Sequence, residues 1–253
     1  MSDWKNIFYL KSKLNTLDDI VITSRNPHEI IKDLVDNSTK TLTVPARLKV
    51  YAREFFKLNG EYTYFNDGLI NFQLYKDQKK VKSILLLEQN RSFGLVGDDI
   101  APDLLGYNLN SMMEKYYVFT ILRPLTDDKI SKKYNFIVKV NPLNQNYNNI
   151  IATPIPVENI KEPLDDFKIV YDVKRKLIIE VTAVLSPETI ATVEENTAKG
   201  TKNIIKSVFK TNYRLDLGNY YLVSSNEEIN YSINVGNEIK NIEISINEIE
   251  RNV

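Results

Sequence analysis

The chain has 253 residues, enough for one large domain or two small ones. Its 33 basic and 33 acidic side chains balance, so no long-range field attracts nucleic acids non-specifically. It has no cysteine, which excludes disulfides, thiol nucleophiles and cysteine-bound zinc. No apolar run approaches the ~18 residues of a membrane span. The N-terminus lacks a signal-peptide pattern, so we expect a protein that is made and kept in the cytoplasm.

Residues 1–58 are predicted to form a mainly helical N-terminal region. Asn26 and Pro27 favour the N-cap and first turn of one helix. A second helix is expected from Pro45, because apolar residues recur there at helical spacing. These residues are Leu48, Tyr51, Phe55 and Leu58.

The hydrophobic period then changes, and residues 59–140 are predicted to form an antiparallel β meander region. The NDG triplet at 66–68 favours a tight hairpin turn, because such turns need residues that tolerate positive φ. Two later strands are expected, at 113–124 and 133–140. Residues 141–163 are rich in Asn and Pro, which favour turns and extended backbone, so they are predicted to be a connector.

Residues 164–253 are predicted to form a β-rich C-terminal region with one helix at about 187–210. Ser186 and Pro187 favour the N-terminus of this helix, although Gly200 inside it can break or kink it. The residues that follow alternate between apolar and polar, which indicates strands with one buried and one solvated face. The expected class is α+β: a helical N-terminal segment, then an antiparallel β-rich body with one long helix inserted.

The segment from Pro163 to Ile190 places two acids around an apolar strand, as metal-dependent nucleases do. Nucleases of the PD-(D/E)XK type hold a divalent cation on two such acids, and a nearby lysine orients or activates water. Asp172 and Glu180 fit the acids, but Thr182 occupies the lysine position. The VKRK turn between them favours a simple β hairpin, and a Mg²⁺-dependent nuclease is the first alternative.

No other motif supports an active site. His28 is the sole histidine, so a two-histidine metal site is impossible, and no nucleophile pattern accompanies it. The FGLVGDD run at 93–99 has glycines and acids but lacks the spacing of phosphate-binding loops. We therefore expect no enzyme activity, no cofactor, and no catalytic or metal-binding residue.

Aromatic residues are frequent between positions 62 and 75. On paired strands they could stack on bases or sugars, but no Arg or Lys is interleaved with them between Glu61 and Asn71. Core packing and cross-strand pairing explain them at least as well. A receptor- or glycan-binding β domain is therefore the second alternative.

The sequence favours a subunit of a symmetric assembly. Trp4 and Phe8 are apolar residues on a terminal segment, where they need a partner surface. The strand that carries Ile242, Ile244 and Ile246 is expected to be a sheet edge that another chain can pair with. These five residues are the candidate subunit contacts. Closed rings are the usual way for identical subunits to satisfy such contacts.

In general style across the whole chain, without a diagnostic motif, the sequence resembles virion proteins of small tailed phages of AT-rich bacteria. The resemblance is carried by MSDWKNIFYLKSKLN, PARLKVYAREFFKL, the strands rich in Tyr and Asn, and INYSINVGNEIKNIEISINEI. Among these proteins the closest in size is the lower collar, or tail connector, of short-tailed phages. The resemblance implies a structural protein that forms a homo-oligomeric ring between the portal and the tail. It implies DNA that passes through the ring without specific binding, and a location in the virion after synthesis in the host cytoplasm. It assigns no functional residues.

Overall fold

The computed structural model describes residues 25–77, 80–94, 117, 119–156, 164–187, 194–197, 200–235 and 238–250. The helices in these ranges are α1 (Pro27–Thr41) and α2 (Arg123–Thr126), with 3₁₀ turns at Thr120–Leu122 and Ser131–Lys133. The strands are β1 (Ala46–Leu58), β2 (Glu61–Asp77), β3 (Lys80–Gly94), β4 (Tyr134–Val140), β5 (Tyr147–Pro154), β6 (Asp165–Asp172), β7 (Leu177–Leu185), β8 (Glu194–Thr197), β9 (Gly200–Asp216), β10 (Asn219–Val235) and β11 (Glu238–Glu250).

All these strands belong to one antiparallel sheet. Its order is β3-β2-β1-β11-β10-β9-β7-β6-β5-β4, and β8 pairs with the first part of β9. Within the described ranges, β3 and β4 are therefore the two ends of the sheet. The hairpin predicted for β6 and β7 is confirmed.

The core lies on one face of the sheet, called the inner face, where α1 packs. As predicted, the helix begins after Asn26, whose side-chain oxygen accepts a backbone N–H two residues on (3.1 Å). The helix buries Ile31 and Leu34 in the core. Its Ser38 hydroxyl accepts a hydrogen bond from the backbone N–H of Ile178 in β7 (3.0 Å). Apolar packing and a buried hydrogen bond thus attach α1 to the sheet.

The helix expected from Pro45 is wrong, because residues 46–58 form strand β1. Leu48 and Phe56 are buried in the core, whereas Tyr51 lies on the opposite, outer face with the other odd-numbered residues. A strand has a period of two, so all side chains of one parity share a face. The spacing that suggested a helix combined residues from both faces.

The long helix expected at 187–210 is also wrong. Residues 200–216 form β9, which pairs with β10 on one side and with β8 and β7 on the other. The β-branched residues Ile204, Ile205 and Val208 suit an extended strand better than a helix. The class is therefore a mainly antiparallel β protein, and not α+β with an inserted long helix.

Three shorter predictions also need correction. The NDG triplet at 66–68 is not a hairpin turn, because it lies inside the continuous strand β2. The described part of the strand expected at 113–124 contains short helical turns from Thr120 onward. The predicted connector at 141–163 contains β5, which pairs with β4 and β6 inside the sheet.

Candidate interaction surface

Of the five predicted subunit contacts, the three that the structure describes do not lie on an exposed edge. Trp4 and Phe8 lie outside the described residues. Strand β11, which carries Ile242, Ile244 and Ile246, is not a sheet edge, since β1 pairs with one side of it and β10 with the other. The three isoleucine side chains are buried in the core of their own chain, so they do not face another subunit.

The two acids of the nuclease alternative each have local partners. Asp172 accepts hydrogen bonds from the backbone N–H of Arg175 (2.7 Å) and from its guanidinium (3.0 Å), which closes the β6–β7 turn. Glu180 lies between the ammonium groups of Lys168 (3.4 Å) and Lys210 (3.1 Å). The described ranges contain no group of three or more acids or histidines that could hold a metal ion. These contacts favour the hairpin interpretation.

His28 connects α1 to α2 and to the residues directly after it. Its Nδ1 lies 2.7 Å from the carbonyl oxygen of Leu125, and its Nε2 lies 2.9 Å from a carboxylate oxygen of Asp128. Hydrogen bonds lower the pKa of the Asp128 carboxyl to about 2; the bond from Lys32 has the larger effect and the bond from His28 the smaller. The sole histidine is thus part of a structural contact between two helices.

The outer face of β1, β2 and β3 combines aromatic rings with arginines. We call this surface the outer-face patch. It consists of Arg47, Tyr51, Arg53 and Phe55 of β1, Phe65 and Asp67 of β2, and Arg91 and Phe93 of β3. Directly opposite residues in an antiparallel sheet share a face, so the register of the three strands aligns these side chains in rows.

One row of the patch is aromatic. Phe55, Phe65 and Phe93 lie directly opposite one another across the three strands. The ring centroids of Phe55 and Phe65 are 5.1 Å apart, and Tyr62 adds an edge contact to Phe55 at 6.0 Å. Phe93, at the end of the row, is 76% exposed. The row presents an apolar aromatic surface to solvent.

The neighbouring row consists of Arg53, Asp67 and Arg91, which are in register across the same strands. Asp67 is only 3% exposed, and the Tyr51 hydroxyl (2.6 Å) and the Arg91 Nε (2.8 Å) both donate to its carboxylate. The hydrogen bond from Arg91 lowers the pKa of the Asp67 carboxyl most, and the hydrogen bond from Tyr51 lowers it further. A carboxylate beneath the surface thus holds Arg91 in place.

The guanidinium of Arg53 lies over aromatic rings. Its Cζ is 5.3 Å from the ring centroid of Tyr51 and 5.9 Å from that of Phe55. Cation–π attraction at such distances holds the guanidinium against the rings. Next to it lies a cleft of about 590 Å³. Its lining residues are Tyr51 of β1, Asp67, Gly68 and Leu69 of β2, and Gln89, Asn90 and Arg91 of β3. The patch therefore offers charge, rings and a concavity together.

Gly68 lets β2 and β3 approach closely beside this cleft. A Cβ atom at Gly68 would lie 2.8 Å from the backbone carbonyl oxygen of Gln89, which is a clash. The glycine of the NDG triplet thus serves a close approach between strands rather than a turn.

The patch was not predicted from the sequence, because residues 46–58 were expected to form a helix. Between Glu61 and Asn71 the sequence interleaves no Arg or Lys with the aromatic residues. The structure supplies cations from β1, in which Arg47 and Arg53 project from the same face as Phe55. The available signal was the alternation of basic and aromatic residues at odd positions from 47 to 57.

Strand β3 exposes apolar side chains at one end of the sheet. Ile84, Leu86 and Leu87 are all exposed. Within the described ranges, the edge of β3 that faces away from β2 pairs with no other strand. The strand has 15 residues, which is long for a sheet edge. At the other end, Ile137 of β4 is also exposed.

No family model matches the chain, and no curated protein sequence is similar to it. A DUF1329 family protein from Desulfovibrio piger gives a TM-score of 0.37 at 8% identity, over 88% of this chain and 92% of that one. MucB in complex with MucA(peri) gives 0.25 at 8% identity, over 89% and 94%. The Pseudomonas aeruginosa MucA/MucB complex gives 0.25 at 8% identity, over 88% and 93%. These TM-scores are too low to establish a shared fold or function.

In the part of the chain that the structure describes, no α-helix has the length and apolar character needed to cross a bilayer.

Proposed function

We propose that the chain is a non-catalytic subunit of a homo-oligomeric assembly that pairs through strand β3. The observation that carries this proposal is that β3, the long strand at one end of the sheet, exposes Ile84, Leu86 and Leu87. An edge strand presents backbone N–H and C=O groups that another strand can pair with. Natural edges are usually short, charged or covered, so an edge of this length with exposed apolar side chains between positions 84 and 87 fits an interface.

The two ends of the sheet suggest how copies assemble. Strand β3 of one copy can pair with β4 of the next, where Ile137 is exposed near the middle of the strand. Such a contact joins two different surfaces, and it closes into a ring when the rotation between copies allows. This arrangement replaces β11 by β3 and β4 as the contact strands.

Within this class, we propose a lower collar or tail connector of a short-tailed phage. The support is the resemblance of the sequence to such proteins, together with two sheet ends suited to a ring. In this role the protein is made in the host cytoplasm, contacts portal and tail proteins, and becomes part of the virion. The nuclease alternative has less support, because Asp172 already binds Arg175 in the β6–β7 turn and Glu180 already pairs with lysines of neighbouring strands. The glycan-binding alternative remains a prediction.

Replacement of Leu86 by lysine is expected to shift the oligomer toward monomers. Leu86 is 64% exposed, so the substitution leaves the monomer intact but places a charge on the edge. It also removes the stabilisation that burial of the leucine side chain would give to each contact between copies, about 1.5–3 kcal/mol. Native mass spectrometry and light scattering at several protein concentrations measure the change.

The matched control is Leu217→Lys. Leu217 lies in the turn between β9 and β10, away from both sheet ends, and it is 95% exposed. This variant should keep the mass of the unmodified protein. An unmodified chain that stays monomeric would contradict the assembly, and one that stops at dimers would contradict the ring.

A further inference from the structure

We infer that the outer-face patch binds single-stranded nucleic acid, with bases on the aromatic row and phosphates at the arginines beside it. This goes beyond the proposed assembly role and does not depend on it. Surfaces that bind single strands without sequence preference combine a cationic track for the backbone with aromatic rings on which bases stack. The patch contains both parts.

The aromatic row can accept bases. Phe93 is exposed, and Phe55 and Phe65 are half-buried, so each ring retains some accessible surface. Every base has a π face, so stacking on such rings tolerates any sequence. Because Phe55 and Phe65 are in contact, bound bases would rest on a surface that is already formed.

The arginines can accept phosphates. Arg47 and Arg53 form no ion pair with the side chains that the structure describes. Arg53 lies against the rings of Tyr51 and Phe55, donates to the Tyr51 hydroxyl, and attracts the nearby Asp67 carboxylate without bonding to it. Arg91 is bound to Asp67 but remains exposed, so its row carries two cations against one carboxylate. Lys49 and Lys57 on the same face contribute less, since Glu88 (3.2 Å) and Glu243 (3.0 Å) already pair with them.

The spacing suits a nucleotide chain. Side chains on one face of a strand repeat every two residues, or about 6.6–6.8 Å. The aromatic row and the arginine row are neighbours at this spacing, so a base and its own phosphate can reach adjacent rows. Arg47 lies further along the same face of β1 and extends the cationic track.

The same features disfavour a protein partner at this patch. The buried centre of a protein–protein interface is depleted in charged residues, whereas four of the six outer-face residues of β1 from position 47 to position 57 are Arg or Lys. The charge of the whole chain is balanced, so attraction is local to the patch. We therefore expect dissociation constants in the range of non-specific binding, about 1–100 µM at physiological salt.

Fluorescence anisotropy of the full chain with labelled oligonucleotides tests the inference. The probes are oligo(dT) and oligo(U) of about 15 nucleotides, each titrated at several salt concentrations. Saturable binding to either probe is expected, and comparison of the two shows whether DNA or RNA is preferred. A duplex of the same length should bind more weakly, because paired bases cannot stack on the aromatic row.

Two variants separate stacking from charge. Phe93→Leu keeps an apolar side chain but removes the ring, so it should weaken binding about five-fold or more at every salt concentration. It should leave the slope of log affinity against log salt unchanged. Arg53→Gln removes one phosphate contact, so it should reduce the magnitude of that slope by about 0.7. Both residues are on the surface, and equal melting temperatures would show that the variants are folded.

The matched control is Arg123→Gln, which removes the same charge from an exposed residue of α2, outside the sheet. It should change neither affinity nor slope. The inference is overturned if neither single strand binds below about 100 µM. It is also overturned if the duplex binds as tightly as the single strands, or if Phe93→Leu and Arg53→Gln both bind like the unmodified chain.

Discussion

Replacement of Ile244 by alanine is expected to lower the free energy of unfolding by about 2–5 kcal/mol. Ile244 is 2% exposed and lies in the middle of the sheet, with Phe56 of β1 opposite on one side and Ile229 of β10 on the other. Deletion of its methyl groups leaves a cavity that paired strands on both sides cannot close. Urea unfolding at neutral pH, followed by circular dichroism, measures the loss.

Ile239→Ala on the same strand is the matched control. Ile239 is 65% exposed, so the identical deletion should change the free energy of unfolding by no more than about 0.5 kcal/mol. If Ile244→Ala left stability intact and instead lowered the mass of the oligomer, β11 would be an edge strand after all. That result would contradict the central position of β11 between β1 and β10.

The alternating pattern of the last strands was readable from sequence, but their place in the sheet was not. Strict alternation around Ile229 and Ile244 predicts strands with one buried face, and the structure buries Ile244 in the core and packs the partly buried Ile229 against that core. Alternation says nothing about which strand pairs on each side. One partner of β11 is its sequence neighbour β10, but the other is β1, which is far away in sequence and is selected only by long-range packing.

The errors in β1 and β2 came from local signals that the tertiary structure overrides. Residues 46–58 contain apolar residues at helical intervals, yet pairing with β2 and β11 fixes an extended backbone. The NDG triplet at 66–68 is typical of hairpin turns. Here Asp67 bonds to Arg91 and Gly68 allows a close approach of β3, so both residues serve the interior of a strand.

The outer-face patch could not be predicted before the strand pairing was known. Phe55, Phe65 and Phe93 are far apart in sequence and belong to three strands, and only the register of those strands places them in one row. The same register places Arg53 and Arg91 on either side of Asp67. The balanced net charge gave no indication of nucleic-acid binding. A balanced net charge does not, however, exclude a local cluster of cations.

Asp67→Asn is expected to lower the free energy of unfolding at neutral pH by about 1–2 kcal/mol. The amide keeps the size of the carboxylate but loses the charge that Arg91 and the Tyr51 hydroxyl bind. This loss of free energy is small for a buried charged group, because the side chain of Arg91, its partner, is exposed to solvent. Asp36→Asn, at an exposed position of α1, is the control and should leave stability unchanged.

The same variant is expected to weaken the dependence of stability on acid pH. The contacts of Asp67 hold the pKa of its carboxyl below the ordinary 3.8 in the folded protein, so the unfolded chain binds a proton at higher pH. The carboxylate therefore stabilises the fold fully above about pH 4, and this stabilisation is lost as pH falls through the lowered pKa. Urea unfolding between about pH 2.5 and 7 should show a shallower acid limb for Asp67→Asn than for Asp36→Asn. Equal limbs in the two variants would mean that the Asp67 carboxylate is not bound by Arg91 and Tyr51 in solution, and that the arginine row lacks its anchor.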